Sequence, residues 1–495
     1  MKSISNKRTK RAFQAIIVVL ICDLAGLAVS SHAGSAAFAD QDAKAIIPGS
    51  LIDKLVCREK PEQSYALYLP SHYTADRKWP ILYAFDPGAR GKVPVEHYQE
   101  AAEKFGWIVV GSNNSRNGAW QPSVDAWTAM TNDTHERFSI DDARIYVSGF
   151  SGGARVALTF ASACRDCIAG VIASGAGFPP SIQPAQEMRF AFYGTTGIDD
   201  FNFAELNLLE EQLSKAGIKH HIEVFAGRHE WPPSRVAVDA LAWMELDAMA
   251  LGKIERDAKR IDDLWKTRMS EANAFEEARK PYDAYQIYLD MSNSFRGLRE
   301  VSAVESRVKE LRNTAAVRDA IRDEQQQIKR QRDVEAQLSA LIAAGDRTRL
   351  QQDSQPGDDP PIDPTVRLHE LVAALRRQSA ATQDSSARRV ARRVLEGAYI
   401  GLFERASNLL QVQQRYDEAV RVLTAATEIN PDRPGGFYFL AWAQAGKGEK
   451  KKALQALKTA VEKGFSDRAS LTSNRAFDSL RENPEFVKIV ETIRP

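Results

Sequence analysis

Arg144-Ile145-Tyr146-Val147-Ser148-Gly149-Phe150-Ser151-Gly152-Gly153-Ala154-Arg155 reads as a β-branched strand, a sharp turn with Ser151 at its tip, and a helix that starts at once. Gly149, Ser151 and Gly153 form a G-x-S-x-G pattern. A serine on such a bend has a strained backbone and a hydroxyl projecting off the end of the sheet. Side chains at the flanking glycines would collide across the bend. Ala154, Ala157, Leu158 and Ala161 follow at helical spacing, small enough to pack closely on a sheet. The pattern alone is modest; the strand before it and the helix after it give it weight.

The neighbouring segments extend the picture. Residues 63–69 alternate like an edge strand, and Pro80-Ile81-Leu82-Tyr83-Ala84-Phe85-Asp86 is a continuous apolar run suited to a strand covered on both faces. Helices are expected over 95–105, 124–138 and 203–216, and further buried strands over 107–111, 169–173, 190–194 and 221–225. Strands alternating with helices at this spacing predict a mostly parallel sheet wrapped by helices, an α/β fold. Beyond about Ala250 the strand signal ends. Val301, Val304, Val308, Leu311 and Ala315 step by three and four, which predicts one face of a long amphipathic helix. Tyr282–Tyr288 reads as the second helix of a helical hairpin. Pro356, Pro360, Pro361 and Pro364 among aspartates mark a linker. After it, Ala419, Leu423 and Ala426 recur 34 positions later as Ala453, Leu457 and Ala460, and Asn430-Pro431 closes a unit. That period is the tetratricopeptide signature. The expected organisation is a signal peptide over 1–39, an α/β domain over 40–250, a helical region over 251–345, a linker over 346–365 and a repeat domain over 366–495.

Charged residues make up 26% of the 495-residue chain and leave a formal charge of +1, so no basic field is available for nucleic acid. Lys2, Lys7, Arg8, Lys10 and Arg11 precede an apolar run, and Ala37-Phe38-Ala39 supplies a small-residue cleavage site, the pattern of an exported protein, periplasmic or secreted. Asp23 would cost roughly 2.5–3.5 kcal/mol at a membrane-helix centre, which disfavours a permanent anchor. Ile21 stands where lipid attachment at Cys22 would want a small residue. Cys57, Cys164 and Cys167 remain after cleavage; Cys164 and Cys167 read as a structural pair or as two buried thiols, with no redox motif around them. No metal signature is present.

A serine hydroxyl attacks only when a base takes its proton, and the base needs a third group to hold its tautomer. In this strand-helix arrangement the chain order is serine, acid, histidine, with the last two just past later strands. Asp199 and Asp200 follow the strand ending near residue 194, with Asp200 the preferred acid. His229 follows the strand ending near 225. His220 and His221 lie on the incoming strand and read as structural. An oxyanion needs two N–H donors: Gly152 supplies one, and the loop after the early strand supplies the other, at Gly88 or Ala89. Trp120, Trp127 and Trp231 are candidate pocket walls.

Residues 60–250 resemble the α/β-hydrolase superfamily, notably secreted esterases of the polyhydroxyalkanoate-depolymerase, feruloyl-esterase and dienelactone-hydrolase types. Ser64–Pro70, Gly149–Gly153 and Gly227-Arg228-His229-Glu230-Trp231-Pro232 carry the resemblance. It implies acyl hydrolysis of an ester or short peptide, without cofactor or metal, on Ser151, Asp200 (or Asp199) and His229. Many relatives have a His-Gly-Gly segment where this chain has Asp86-Pro87-Gly88. The C-terminal region resembles tetratricopeptide domains, which implies a protein partner. Three functions compete: a serine esterase, a non-catalytic scaffold of the same folds, and a serine peptidase.

Overall fold

Residues 46–164, 166–351 and 364–493 are described by the computed structural model. The leader expected over 1–39, with Cys22, and most of the linker expected over 346–365 lie outside them. The chain divides into two compact units, residues 1–324 and 325–495.

The first unit is built on an eight-stranded sheet of order β1-β2-β4-β3-β5-β6-β7-β8. Its strands are β1 (Leu51–Val56), β2 (Ser64–Tyr68), β3 (Trp79–Phe85), β4 (Ile108–Ser112), β5 (Ile140–Phe150), β6 (Gly170–Ser174), β7 (Ala191–Gly197) and β8 (His220–Phe225). β2 runs antiparallel to both β1 and β4, and every other pairing is parallel. The apolar runs at β3, β4 and β6 are wholly buried because helices cover both faces. On one face lie α1 (Lys92–Phe105) and α5 (Ser234–Ala250), with Leu82, Val109 and Met244 in the core between. On the other lie α2 (Gln121–Arg137), α3 (Gly152–Ala163) and α4 (Phe203–Lys215), packed on Tyr83, Phe85 and Val147. Fully buried Leu158 on α3 contributes about 1.5–3 kcal/mol by leaving water. The α/β-hydrolase architecture expected from the sequence is met. β1 has no counterpart among the sequence expectations: it is a half-exposed edge strand whose Asp53 and Lys54 break the apolar pattern.

β3 sits between β4 and β5, so the chain winds to one side after β3 and to the other after β5. Loops after β3 and β5 therefore diverge and leave a crevice at the carboxyl edge, the place where open α/β sheets bind ligands.

Past the sheet, α6 (Ala258–Glu277) and α7 (Pro281–Ser294) form a hairpin, turned at Arg279 with φ 56°. The stripe expected to run from Val301 to Ala315 is broken between α8 (Ser302–Arg312) and the 37-residue α9 (Ala315–Gln351). Thr314 makes the break: its Oγ1 donates back to the Leu311 carbonyl and accepts the Val317 N–H, starting a new helix. The division between the two units falls inside α9.

The second unit is all-helical, with α10 (Pro364–Ser379), α11 (Ser386–Gln411), α12 (Tyr416–Ile429), α13 (Pro434–Gly446), α14 (Lys450–Glu462), α15 (Arg468–Ser473) and α16 (Pro484–Thr492). All six residues of the 34-residue repeat are fully buried at 0% exposure, on α12 and α14. Gly446 lets α13 close on α12, since a Cβ there would meet the Tyr416 ring at 2.4 Å. Cys164 and Cys167 form a disulfide, and Cys57 is a buried free thiol.

A partly buried ionic network joins the α6–α7 hairpin to the edge of the sheet. Asp290 accepts from His221 Nδ1 at 3.1 Å and from Arg268 at 3.0 Å. Glu223 on β8 accepts from the Tyr193 hydroxyl at 2.6 Å and Arg235 at 3.1 Å. Burial, then the charge of Asp239, outweigh these donors and push the Glu223 carboxyl up to about 7 from 4.5. The folded protein thus holds this proton after the unfolded chain has released it. Stability from Glu223 is present below pH 4.5 and is lost as pH climbs towards 7, by on the order of 3 kcal/mol. Urea unfolding is expected to show Glu223→Gln gaining on the wild type across that window; a constant difference between them would count against this assignment.

Candidate active site

The end of β5 turns into α3 through Ser151, whose φ of 54° and ψ of −119° lie outside the regions non-glycine residues favour. Such a backbone costs of order 1–3 kcal/mol and persists only where the surroundings enforce it. Here the Ser151 N–H donates to the Ser174 carbonyl at 2.8 Å. A Cβ on Gly149 would stand 2.1 Å from the Gly153 carbonyl, and one on Gly153 would stand 2.0 Å from the Phe85 carbonyl oxygen. The two glycines are what allow α3 to start against β3.

His229, in the loop after β8, brings Nε2 to 2.9 Å from Ser151 Oγ. Its Nδ1 lies 2.9 Å from Asp200 Oδ1, in the loop after β7. A carboxylate only accepts, so Nδ1 carries the proton and Nε2 is left to accept from the serine. Asp200 is fully buried, and its Oδ1 also accepts the Asn202 N–H at 2.8 Å. Asn202 Nδ2 in turn donates to the Gly175 carbonyl at 2.7 Å. Asp199 stands beside this relay and serves through its backbone: its N–H donates to the Gly227 carbonyl at 2.9 Å and ties the acid loop to the histidine loop. His220 and His221 are elsewhere, on the Ile218 carbonyl and on Asp290.

The imidazole packs on two rings that sequence reasoning missed. Phe201 and Phe150 have centroids 4.1 and 4.7 Å from it. Each directly adjoins a residue of the motif, after Asp200 and before Ser151, which is the signal that could have found them. Gly175, at φ 65°, lies under the same group: a Cβ there would meet Phe150 at 2.8 Å and His229 Cε1 at 3.2 Å.

The loop after β3 departs from expectation. Asp86 is fully buried. Its carboxylate accepts from Gly88 N at 2.8 Å, from Arg90 Nε and Nη2 at 2.8 and 2.9 Å, and from Trp231 Nε1 at 3.0 Å. Burial opposes the charge, but the donors from Arg90, Trp231 and Gly88 outweigh it and hold the carboxyl below its ordinary value. The Ala89 N–H donates to the Asp86 carbonyl at 3.1 Å. The two N–H groups offered as alternatives for the second oxyanion donor, at Gly88 or Ala89, both donate to Asp86. The Gly152 N–H has no hydrogen-bond partner among the described residues.

The tryptophans separate. Trp127, a candidate pocket wall, is instead buried in the core against Tyr83, Phe85 and Phe160. Trp120 lines a cavity of about 370 Å³ beside α2, with Cys57 and Gln63. Trp231 packs on Phe150, the residue before Ser151.

Residues 114–231 match the profile described as Dienelactone hydrolase family, and residues 413–472 match a Tetratricopeptide repeat. Similar solved structures include a ferulic acid esterase, 16% identical over 39% of this chain and 97% of that one, with a TM-score of 0.34. A fluorophosphonate-binding serine hydrolase of Staphylococcus aureus is 17% identical over 40% of this chain and 98% of its own, with a TM-score of 0.33. An S-formylglutathione hydrolase from Agrobacterium tumefaciens is 17% identical over 37% and 88%, with a TM-score of 0.30. No curated protein matches the sequence.

Gly175→Ala is expected to lower stability by about 1–3 kcal/mol in urea unfolding, because a side chain at positive φ must also displace the Phe150 ring. Unchanged stability would mean that the packing beneath the imidazole is loose.

Proposed function

We propose that this protein is an exported serine hydrolase acting on carboxylic esters through an acyl-enzyme on Ser151. The observation that carries the reading is the continuous relay from Ser151 Oγ through both nitrogens of His229 to buried Asp200, each step 2.9 Å. The match of residues 114–231 to a hydrolase family, which spans all three side chains, supports it.

Each step follows from the geometry. As Ser151 Oγ bonds to the ester carbonyl carbon, its proton passes to His229 Nε2. Asp200 stabilises the resulting imidazolium and keeps the ring in place. The tetrahedral intermediate collapses, and the imidazolium protonates the departing alkoxide. A water then gives its proton to His229, attacks the acyl carbon and releases the acid, restoring Ser151. Low pH suppresses both halves, because a protonated imidazole accepts nothing.

The proposed organisation follows the sequence: a cleaved leader over 1–39, the hydrolase over 40–250, a helical region over 251–345 and a repeat domain over 366–495. The leader is supported by its basic start and Ala37-Phe38-Ala39, which favour export to the periplasm or beyond. The repeats bind a protein partner, a role supported by the repeat match at 413–472.

Labelling by a fluorophosphonate, which reacts only with an activated serine, is expected in the wild type and absent from Ser151→Ala and His229→Ala. Asp200→Asn is expected to lower kcat by about 10⁴-fold on p-nitrophenyl esters, and Asp199→Asn to stay within about tenfold of wild type. A folded protein that is not labelled would instead be a scaffold.

A further inference from the structure

We propose that the second donor to the oxyanion is the side-chain carboxamide of Asn117. The inference rests on the serine-hydrolase reading above and adds a catalytic residue to it.

A tetrahedral oxyanion at Ser151 needs two donors. The Gly152 N–H is one, at the first turn of α3 and unengaged among the described residues. The loop after β3 does not supply the other, since the N–H groups of Gly88 and Ala89 are both turned to Asp86. The segment between β4 and α2 crosses this gap. Asn117 is exposed, and its carboxamide lies against Gly152: a Cβ built there would stand 1.8 Å from Asn117 Oδ1, 2.7 Å from Cγ and 3.1 Å from Nδ2. The amide therefore fills the space that a side chain next to the nucleophile would take. Gly152 does not have the positive φ that would require glycine on backbone grounds, so it is Asn117 that needs position 152 to be bare.

The carboxamide is both held and free. Its backbone N–H donates to the Pro87 carbonyl at 2.9 Å, and Arg116 bridges to Gly88, so the segment is pinned to the loop after β3. The Asn117 side-chain amide has no hydrogen-bond partner among the described residues. Oxygen and nitrogen of such an amide differ by a half-turn about its terminal bond, and an anion selects the face that presents NH₂. A neutral donor on a braced loop stabilises the developing charge without adding a charge to the site.

Steady-state kinetics on p-nitrophenyl acetate test this with Asn117→Ala, Asn117→Asp and Gly152→Ala. Asn117→Ala is expected to lose about 10²–10³ in kcat with KM within about threefold and the acid limb of the pH profile unmoved. Asn117→Asp, the same shape with a negative charge, is expected to lose at least as much. Binding of a trifluoromethyl ketone, which forms a tetrahedral adduct, should weaken by the same factor as kcat/KM. Gly152→Ala should displace the amide and lose as much on its own, with no further loss when Asn117→Ala is added. Ser151-dependent turnover with unchanged kcat in Asn117→Ala, or a rise in KM alone, would overturn this inference and leave the hydrolase reading standing. Turnover that does not depend on Ser151, or none at all, would overturn both.

Discussion

Everything at this site depends on a backbone that would not be stable by itself. Ser151 is held at φ 54° and ψ −119°, a conformation enforced by the close stacking of α3 on β3 and by the hydrogen bond from its N–H to Ser174. Gly153 touches the Phe85 carbonyl, Gly149 touches Gly153, and the small faces of Ala154 and Ala157 let the helix settle onto the sheet. Apolar burial over the whole sheet offsets the local strain, so the strain persists where the hydroxyl must project. The crevice follows from the same topology. Because the winding reverses between β3 and β5, the serine stands at the carboxyl edge of the sheet where the loops diverge.

Asp86 is the tie between two of those loops. Its buried carboxylate joins Gly88 and Arg90 on its own loop to Trp231, two residues beyond His229. Hydrogen bonds to a charged group are about twice as strong as neutral ones, and a buried carboxylate left without partners is costly, so the four donors specify one arrangement. The same residue that holds the histidine loop through Trp231 also engages the N–H groups of Gly88, at its carboxylate, and of Ala89, at its carbonyl. Asp86-Pro87-Gly88 thus acts as a latch between the loops after β3 and β8.

Much of this was legible in the sequence, and the reasons for the rest are physical. Strands buried on both faces announce themselves as apolar runs, and the serine turn carries its own glycines. The order of serine, acid and histidine follows from parallel strands, whose loops emerge at one edge. The 34-residue spacing in the repeat records which residues touch between helices. Edge strand β1 was hidden because an exposed edge tolerates Asp53 and Lys54. The break at Thr314 was hidden because Val301, Val304, Val308 and Leu311 keep a helical period right up to it. Trp127 shows that an aromatic near a motif in sequence is as readily core as pocket. The roles of Asp86 and Asn117 depend on partners 145 and 35 positions away along the chain, and no local pattern encodes such a meeting.

Acyl transfer by this relay requires that a covalent bond form at one oxygen atom, Ser151 Oγ. Rapid mixing with an excess of p-nitrophenyl ester, acid quench and mass spectrometry of the digest tests it most directly. An acyl adduct is expected on the peptide that contains Ser151, appearing with a burst of one nitrophenolate per protein. Steady turnover with no adduct, or an adduct on another residue, would contradict the account.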